Sequence, residues 1–501
     1  MAEGGDPVVM TSNGPVRGVG QGGIKAFKGV RYGADTALTR FARPRRPDLW
    51  TDIVPATDYG ASAPQRGGGE NKSEDCLFLN VWTPGLGDGA KRPVMIYIHG
   101  GAYNSGSGSD ELYDGARLAA HGDVVVITVN HRLNAFGYLY LEPAVPGLFP
   151  DSGNAGQWDL ILALQWVRDN AAAFGGDAAR VMVFGQSGGG AKIAAMMASP
   201  AAAGLFHSAA TMSGQQVTAS GPLNAARRTR AFLAALKIDP SAAGQIASLP
   251  AAQIVEALGP RDPLDETQGL YFGPVLDERM LSRHPFWPDA PPQSAHIPMI
   301  LGNTLDETRI LVGRKEPEMF DLGWDGLPAA LARHLRCDID PGTVVEAYRA
   351  AYPGRTPGEI FFAATTAGRS WRGQVEEADA RARQCAPTWV YRFDLPWTED
   401  GGKWGAPHTV DIGYVFRNLD RAGAMPGEAA ASRRVSGEIS DAFVALARTG
   451  SPEHRDLTDW PQYRLPVRGT MIFGAATGSE SDPRGVERAL FAKVPFIQWG
   501  S

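Results

Sequence analysis

Val181-Met182-Val183-Phe184-Gly185-Gln186-Ser187-Gly188-Gly189-Gly190, continued by Ala191-Lys192-Ile193-Ala194-Ala195-Met196-Met197, is the stretch from which the rest of the chain can be read. Four apolar residues of strand type run into Gly-x-Ser-x-Gly, and small residues suited to a helix follow at once. A serine on so tight a strand-to-helix turn takes a strained backbone conformation. Gly185 and Gly189 permit it because they carry no Cβ to meet the neighbouring strand and helix. The turn lifts the Ser187 hydroxyl out at the end of a sheet, over the positive end of a helix. The motif alone is weak evidence, since a chain with 61 glycines meets it by chance. A nucleophile also needs a base, a group to orient that base, and donors for the developing oxyanion.

Composition narrows the setting. The 501 residues are 44% hydrophobic and 20% charged, as in an ordinary globular protein with ample chain for a large core. The formal charge is −6, and the one basic cluster is Arg43-Pro44-Arg45-Arg46. Nucleic acid and anionic membrane surfaces, which need a concentrated basic footprint, are therefore not expected partners. The start, Met1-Ala2-Glu3-Gly4-Gly5-Asp6, is acidic and glycine-rich where a secretory signal would be basic and then apolar, and no apolar run is long enough to span a membrane. A cytoplasmic location is the expectation. Cys76, Cys337 and Cys385 cannot all pair and match no metal spacing, so three free, buried thiols are expected.

Along the chain, residues 7–32 alternate and turn, with Asn13-Gly14 as a hairpin signal. Strands are then expected at Cys76–Trp82, Val94–Ile98, Val124–Val129, Val181–Phe184, Met299–Leu301, Trp389–Phe393 and Met471–Phe473, separated by helical patterns. That alternation predicts an α/β fold with a mostly parallel sheet covered on both faces. Two segments, about 215–295 and 315–385, flank the strand at 299–301 and read as helical insertions above the sheet's C-terminal edge; in the first, Pro274-Val275-Leu276 is the earliest strand signal. A final helix with Val435, Ile439, Ala442, Phe443 and Leu446 on one face stops at Gly450.

Nine histidines could supply the base. His408 stands apart because it lies on a glycine-containing loop after the strand Trp389–Phe393. The order serine, acid, histidine then asks for a carboxylate between 187 and 408. Glu307 and Asp306 both follow the strand Met299–Leu301 closely, and spacing does not choose between them. Oxyanion donors are offered by Val94-Met95-Ile96-Tyr97-Ile98-His99-Gly100-Gly101-Ala102-Tyr103, a strand ending in a Gly-Gly turn that frees backbone amides.

These residues, with Phe27 to Tyr32, Glu74-Asp75-Cys76-Leu77-Phe78-Leu79-Asn80-Val81, Asn130-His131-Arg132-Leu133, Ala163 to Val167 and Phe174-Gly175-Gly176-Asp177, make the chain resemble the type-B carboxylesterases through nearly its whole length. The resemblance implies a single α/β-hydrolase domain over residues 1–501. It implies Ser187 as nucleophile, His408 as base and Glu307 rather than Asp306 as orienting acid. It also implies an oxyanion hole from Gly101, Ala102 and Gly188, and a substrate that is a small-molecule ester, with no metal or organic cofactor. A carbamate or amide hydrolase with the same triad is the alternative, and a non-catalytic binding module of the same fold is a further one.

The family usually has Glu before the nucleophile and Ala after it, where this chain has Gln186 and Gly188. By similarity, Gln186, Ser213 and Asp411 are expected to form a buried polar network beneath the triad, and Gly188 to leave the oxyanion hole a little roomier. Tyr103, Tyr271, Phe272 and Phe416 are candidates to line the substrate pocket. Cys76 matches a half-cystine of the animal enzymes, but Gly60 to Gln65 offers it no partner.

Overall fold

At the centre of the sheet, the strand that carries the nucleophile motif is buried on both faces from Val181 to Gln186. We describe it from a computed structural model, which covers residues 6–498 and residue 500; the acidic start Met1 to Gly5 lies outside the described residues. Eleven strands form the main sheet: β1 (Val19–Gln21), β2 (Ile24–Arg31), β3 (Phe78–Thr83), β4 (Arg92–Ile98), β5 (Val125–Val129), β6 (Gly176–Gln186), β7 (Ser208–Met212), β8 (Met299–Thr304), β9 (Thr388–Phe393), β10 (Gly469–Phe473) and β11 (Gly478–Ser481). Their spatial order is β11-β10-β9-β8-β7-β6-β4-β5-β3-β2-β1. From β10 through to β5 every neighbour is parallel, and both ends of the sheet finish in antiparallel pairs. This is the α/β-hydrolase arrangement.

The seven expected strands are all present, with shifted ends. The sequence reading did not anticipate β7, although it lies directly beside the nucleophile strand, Ala210 opposite Phe184. Its sequence is Ser-Ala-Ala-Thr-Met, all buried, so apart from Thr211 it carries no branched residue, and it lacks the alternation that announces a strand. The Asn13-Gly14 signal is a real turn: Val8–Met10 pairs antiparallel with Pro15–Arg17, in a small separate sheet with Val54–Pro55.

Helices cover both faces because the central parallel strands are apolar on both sides. On one face lies α1 (Ala155–Asn170), buried nearly all round, with α2 (Gly188–Met197). On the other lies the 21-residue helix Ala429–Thr449, whose stripe Val435, Ile439, Ala442, Phe443 and Leu446 is buried and whose end at Gly450 takes φ 79°. Beneath α1, Arg132 and Asp159 form an ion pair with both side chains almost wholly buried, and the guanidinium also donates to the Ala42 and Ala155 carbonyls.

The segment 315–385 is helical as expected, with α3 (Pro357–Thr366) and α4 (Arg372–Arg383) joined by a π-helical turn, Ala367–Trp371. The segment 215–295 differs from expectation. Its strands are a small hairpin, Arg261–Asp262 with Asp265–Gly269, whereas Val275 makes only an isolated bridge to Ser220. The cysteines are free as expected, but only Cys76 is buried; Cys337 is half-buried and Cys385 exposed. Among the described residues no helix is long and apolar enough to cross a membrane.

Candidate active site

The backbone of the turn after β6 is strained as the motif demands: Ser187 takes φ 54° and ψ −124°. Its N–H donates to the Met212 carbonyl at 2.7 Å, so the end of β7 holds the turn in place. A Cβ on Gly189 would overlap the Ile98 carbonyl, which is why the helix can start so close to β4. Ser187 then opens α2 and faces a cavity of about 480 Å³, which His408 also lines.

Two loops bring Glu307 to His408. After β8 the chain passes Leu305 and Asp306 into a short helix, Glu307–Leu311; after β9 it returns through Ala406 to His408. Asp306 ties the two loops together, its N–H donating to the Ala406 carbonyl at 2.9 Å and its carboxylate accepting the Ala406 N–H at 3.1 Å. The remaining carboxylate oxygen of Asp306 takes the Arg309 guanidinium. Glu307 is fully buried and accepts a short hydrogen bond from His408 Nδ1. Its other oxygen accepts from Asn303 Nδ2 and the Thr304 N–H, both at 2.9 Å. Burial pulls this carboxyl up, but the imidazole's charge and hydrogen bond and the Thr304 N–H outweigh it and hold Glu307 below the usual range. The choice that spacing left open is thus resolved by geometry: Glu307 meets the ring, and Asp306 pins the loops.

No hydrogen bond joins the Ser187 hydroxyl to His408. The Gln186 side-chain amide nitrogen lies against the ring instead, 3.2 Å from Nε2 and 3.4 Å from Nδ1. Gln186 therefore reaches the imidazole, and Ser213 and Asp411 are buried with it; among the described residues no direct hydrogen bond joins the three to one another. Asp411 accepts from the Tyr391 hydroxyl at 2.6 Å and its other oxygen is buried without a hydrogen bond, while the Ser213 hydroxyl helps hold the Glu307 carboxyl low. Burial pushes the Asp411 carboxyl up to about 6, partly opposed by the Tyr391 hydrogen bond.

The backbone N–H groups of Gly101 and Ala102 donate to no other group among the described residues, and the loop they belong to borders the cavity beside Ser187. Gly188 does not give the expected extra room. A Cβ there would overlap the Ala102 backbone, so the loop has closed into the space that a side chain would occupy. One feature of this loop went unnoticed in the sequence. Lys192, one turn into α2, is fully buried; its ammonium donates to the Ala102 carbonyl at 2.7 Å and lies 4.9 Å from the Tyr103 ring centroid. Burial alone brings Lys192 down to about 7.

Of the four aromatic candidates, Tyr103 and Tyr271 line the cavity and approach edge to face. Phe272 and Phe416 do not. Phe272 packs on Phe232 in the core of the 215–295 segment, and Phe416 lies among Tyr97, Tyr113 and Phe184 against the sheet. Phe416 was expected there from its neighbours, but it ends the helix Val410–Phe416, on which successive side chains point in different directions. His99 and His131 stack in parallel at 4.7 Å, and burial pushes His99 down to about 3 and His131 well below the usual range, so both are weakly basic, uncharged rings.

A family model described as "Carboxylesterase family" matches residues 5–476. The para-nitrobenzyl esterase of Bacillus subtilis is 34% identical over 96% of this chain and 97% of its own. The phenmedipham hydrolase of Pseudarthrobacter oxydans is 31% identical over 93% of this chain and 95% of its own. The crystal structure of the Geobacillus stearothermophilus carboxylesterase EST55 at pH 6.2 superimposes with a TM-score of 0.86 at 34% identity, covering 97% of this chain and 99% of that one.

Proposed function

The chain belongs to the carboxylesterase family and is a serine ester hydrolase, and from that premise we propose that Ser187, His408 and Glu307 carry the reaction through an acyl-enzyme. The observation that supports this most directly is the buried Glu307–His408 pair, whose imidazole lines the same cavity as the strained Ser187 turn. In the first half-reaction His408 Nε2 takes the Ser187 proton as Oγ attacks the ester carbonyl. The tetrahedral oxyanion is met by the N–H groups of Gly101, Ala102 and Gly188. Collapse expels the alcohol, which receives the proton from His408. In the second, His408 takes a proton from water, the hydroxide attacks the acyl carbonyl, and Ser187 leaves with the proton restored. Glu307 fixes the ring with Nδ1–H toward itself and stabilises the imidazolium. Closure of the ring onto the hydroxyl accompanies substrate binding, since catalytic hydrogen bonds are often loose in the free enzyme.

The chain acts as one unit in this reading. Segments 215–295 and 315–385 form the cap, and Tyr271 from the first and Arg369 from the second both reach the cavity that holds Ser187. The substrate is a small-molecule carboxylic ester. Incubation with a fluorophosphonate, followed by peptide mapping, is expected to place one label on Ser187 in folded protein and none after Ser187→Ala. An unlabelled serine in folded, unmodified protein would make the chain a non-catalytic binding module. Turnover of matched ester, carbamate and anilide substrates is expected to rank the ester first; a carbamate or anilide ranking first would reassign the leaving group.

A further inference from the structure

The catalytic cavity carries a charge that ester hydrolysis does not require. Arg336 and Arg369 both line it, and among the described lining residues there is no Asp or Glu. This is opposite in sign to the chain as a whole, at −6. Arg369 is the more telling of the two, because it has no hydrogen-bond or ion-pair partner among the described residues. The nearest carboxylate influence on it is Glu307, yet both oxygens of Glu307 are already engaged by His408, Asn303 and Thr304. A guanidinium held in a cavity without a partner carries a desolvation cost that a ligand carboxylate offsets, and its planar fork matches a carboxylate in two parallel hydrogen bonds.

The backbone places Arg369 deliberately. It sits in the π-helical turn Ala367–Trp371, an irregularity frequent at functional sites. The end of α3 just before that turn is bolted to the residue after the triad acid: the Thr308 hydroxyl bonds those of Thr365 and Thr366 at 2.8 and 2.9 Å, and the Thr308 N–H reaches Thr366 at 3.2 Å. Arg369 is thereby held at a fixed position relative to Glu307 and the reacting centre. Ser370 and Gln216 add polar groups to the same lining.

We propose that Arg369 is the anchor for an acidic group on the substrate, so that this esterase selects esters bearing a free carboxylate on the acyl or the alcohol side. The proposal rests on the serine-esterase reading above and narrows its substrate class. Two ester pairs test it: mono-p-nitrophenyl adipate against p-nitrophenyl hexanoate, and 4-(carboxymethyl)phenyl butyrate against 4-ethylphenyl butyrate. The unmodified enzyme is expected to favour the acidic member of at least one pair in kcat/KM. Arg369→Gln is expected to cut that acid-to-neutral ratio about tenfold or more, mainly through KM, and Arg369→Lys to restore part of it.

An unchanged ratio on both pairs overturns the proposal. So does an equal loss on every ester, which would make Arg369 a positioning residue for Glu307. Should Arg369→Gln fail to fold, inhibition of the unmodified enzyme decides: adipate is expected to compete with p-nitrophenyl hexanoate at least tenfold better than 1,6-hexanediol, and equal inhibition overturns the proposal. Labelling of Ser187 and turnover of the neutral esters report on the esterase reading separately, so the two can fail independently.

Discussion

Replacing Lys192 by methionine is expected to stabilise the protein in acid and destabilise it in base. Burial lowers the folded-state value of this lysine from 10.5 to about 7. Below the folded value the native state carries the whole cost of a buried ammonium, and at about 1.36 kcal/mol per pH unit that cost is about 5 kcal/mol. As pH rises from 7 toward 10.5 the folded lysine is already neutral while the unfolded one still binds its proton, so stability climbs and the cost vanishes. Against this stands the hydrogen bond to the Ala102 carbonyl, for which Lys192 is the sole donor among the described residues. Leaving that buried acceptor bare costs about 1–3 kcal/mol at any pH. The variant is therefore expected to gain about 2–4 kcal/mol at pH 6 and to lose about 1–3 kcal/mol at pH 10.5. Urea titrations at both pH values, with unchanged m, measure it. Its kcat on a p-nitrophenyl ester is expected to fall at every pH, because the loop bearing Gly101 and Ala102, the proposed oxyanion donors, loses its brace. A stability difference of the same sign and size at pH 6 and pH 10.5 would refute the reasoning.

Further outcomes follow from neighbouring groups. Gln186→Glu sets a carboxylate about where the amide now lies 3.2 Å from His408 Nε2, which favours the imidazolium; the acid limb of the kcat/KM profile is expected to move up by about one pH unit. Asp411→Asn removes a carboxylate that burial has raised to about 6. Since that penalty is present above pH 6 and absent below 3.8, the variant is expected to be more stable by up to about 3 kcal/mol at pH 8 and no more stable at pH 3.8, as thermal unfolding at the two values would show. Asp159→Ala leaves the buried Arg132 guanidinium without its carboxylate and is expected to cost about 3–5 kcal/mol in urea unfolding.

Some of this was legible in the sequence and some was not, for reasons that differ by residue. Ser187, His408 and the Gly100-Gly101 turn announce themselves because they need particular residue types at strand ends, and those types stand in the chain in order. Asp306 and Glu307 are adjacent, so one-dimensional spacing cannot say which turns inward; the helix that starts at Glu307 decides it. The strand β7 escaped because its small residues serve a crowded position between two parallel neighbours, not a half-exposed face. Lys192 and Arg369 escaped for a common reason. A single cation in a helical pattern usually faces solvent, and only the tertiary arrangement shows these two turned inward. Phe416 was drawn to the site by its neighbours along the chain and Phe272 by its aromatic type, and packing put both elsewhere.

The pieces of the proposed catalytic centre come from far apart: His408 is 101 residues beyond Glu307, and Gln186 is 222 residues before His408. A ribosome therefore extrudes the nucleophile's turn long before the strand and loop that deliver its base. Until β8 and β9 have added to the sheet in that order, the serine is an inert alcohol, and a nascent or interrupted polypeptide has no means of acylating itself on passing esters. Hydrolytic competence arrives late in synthesis, which ties the onset of chemistry to completion of the parallel sheet.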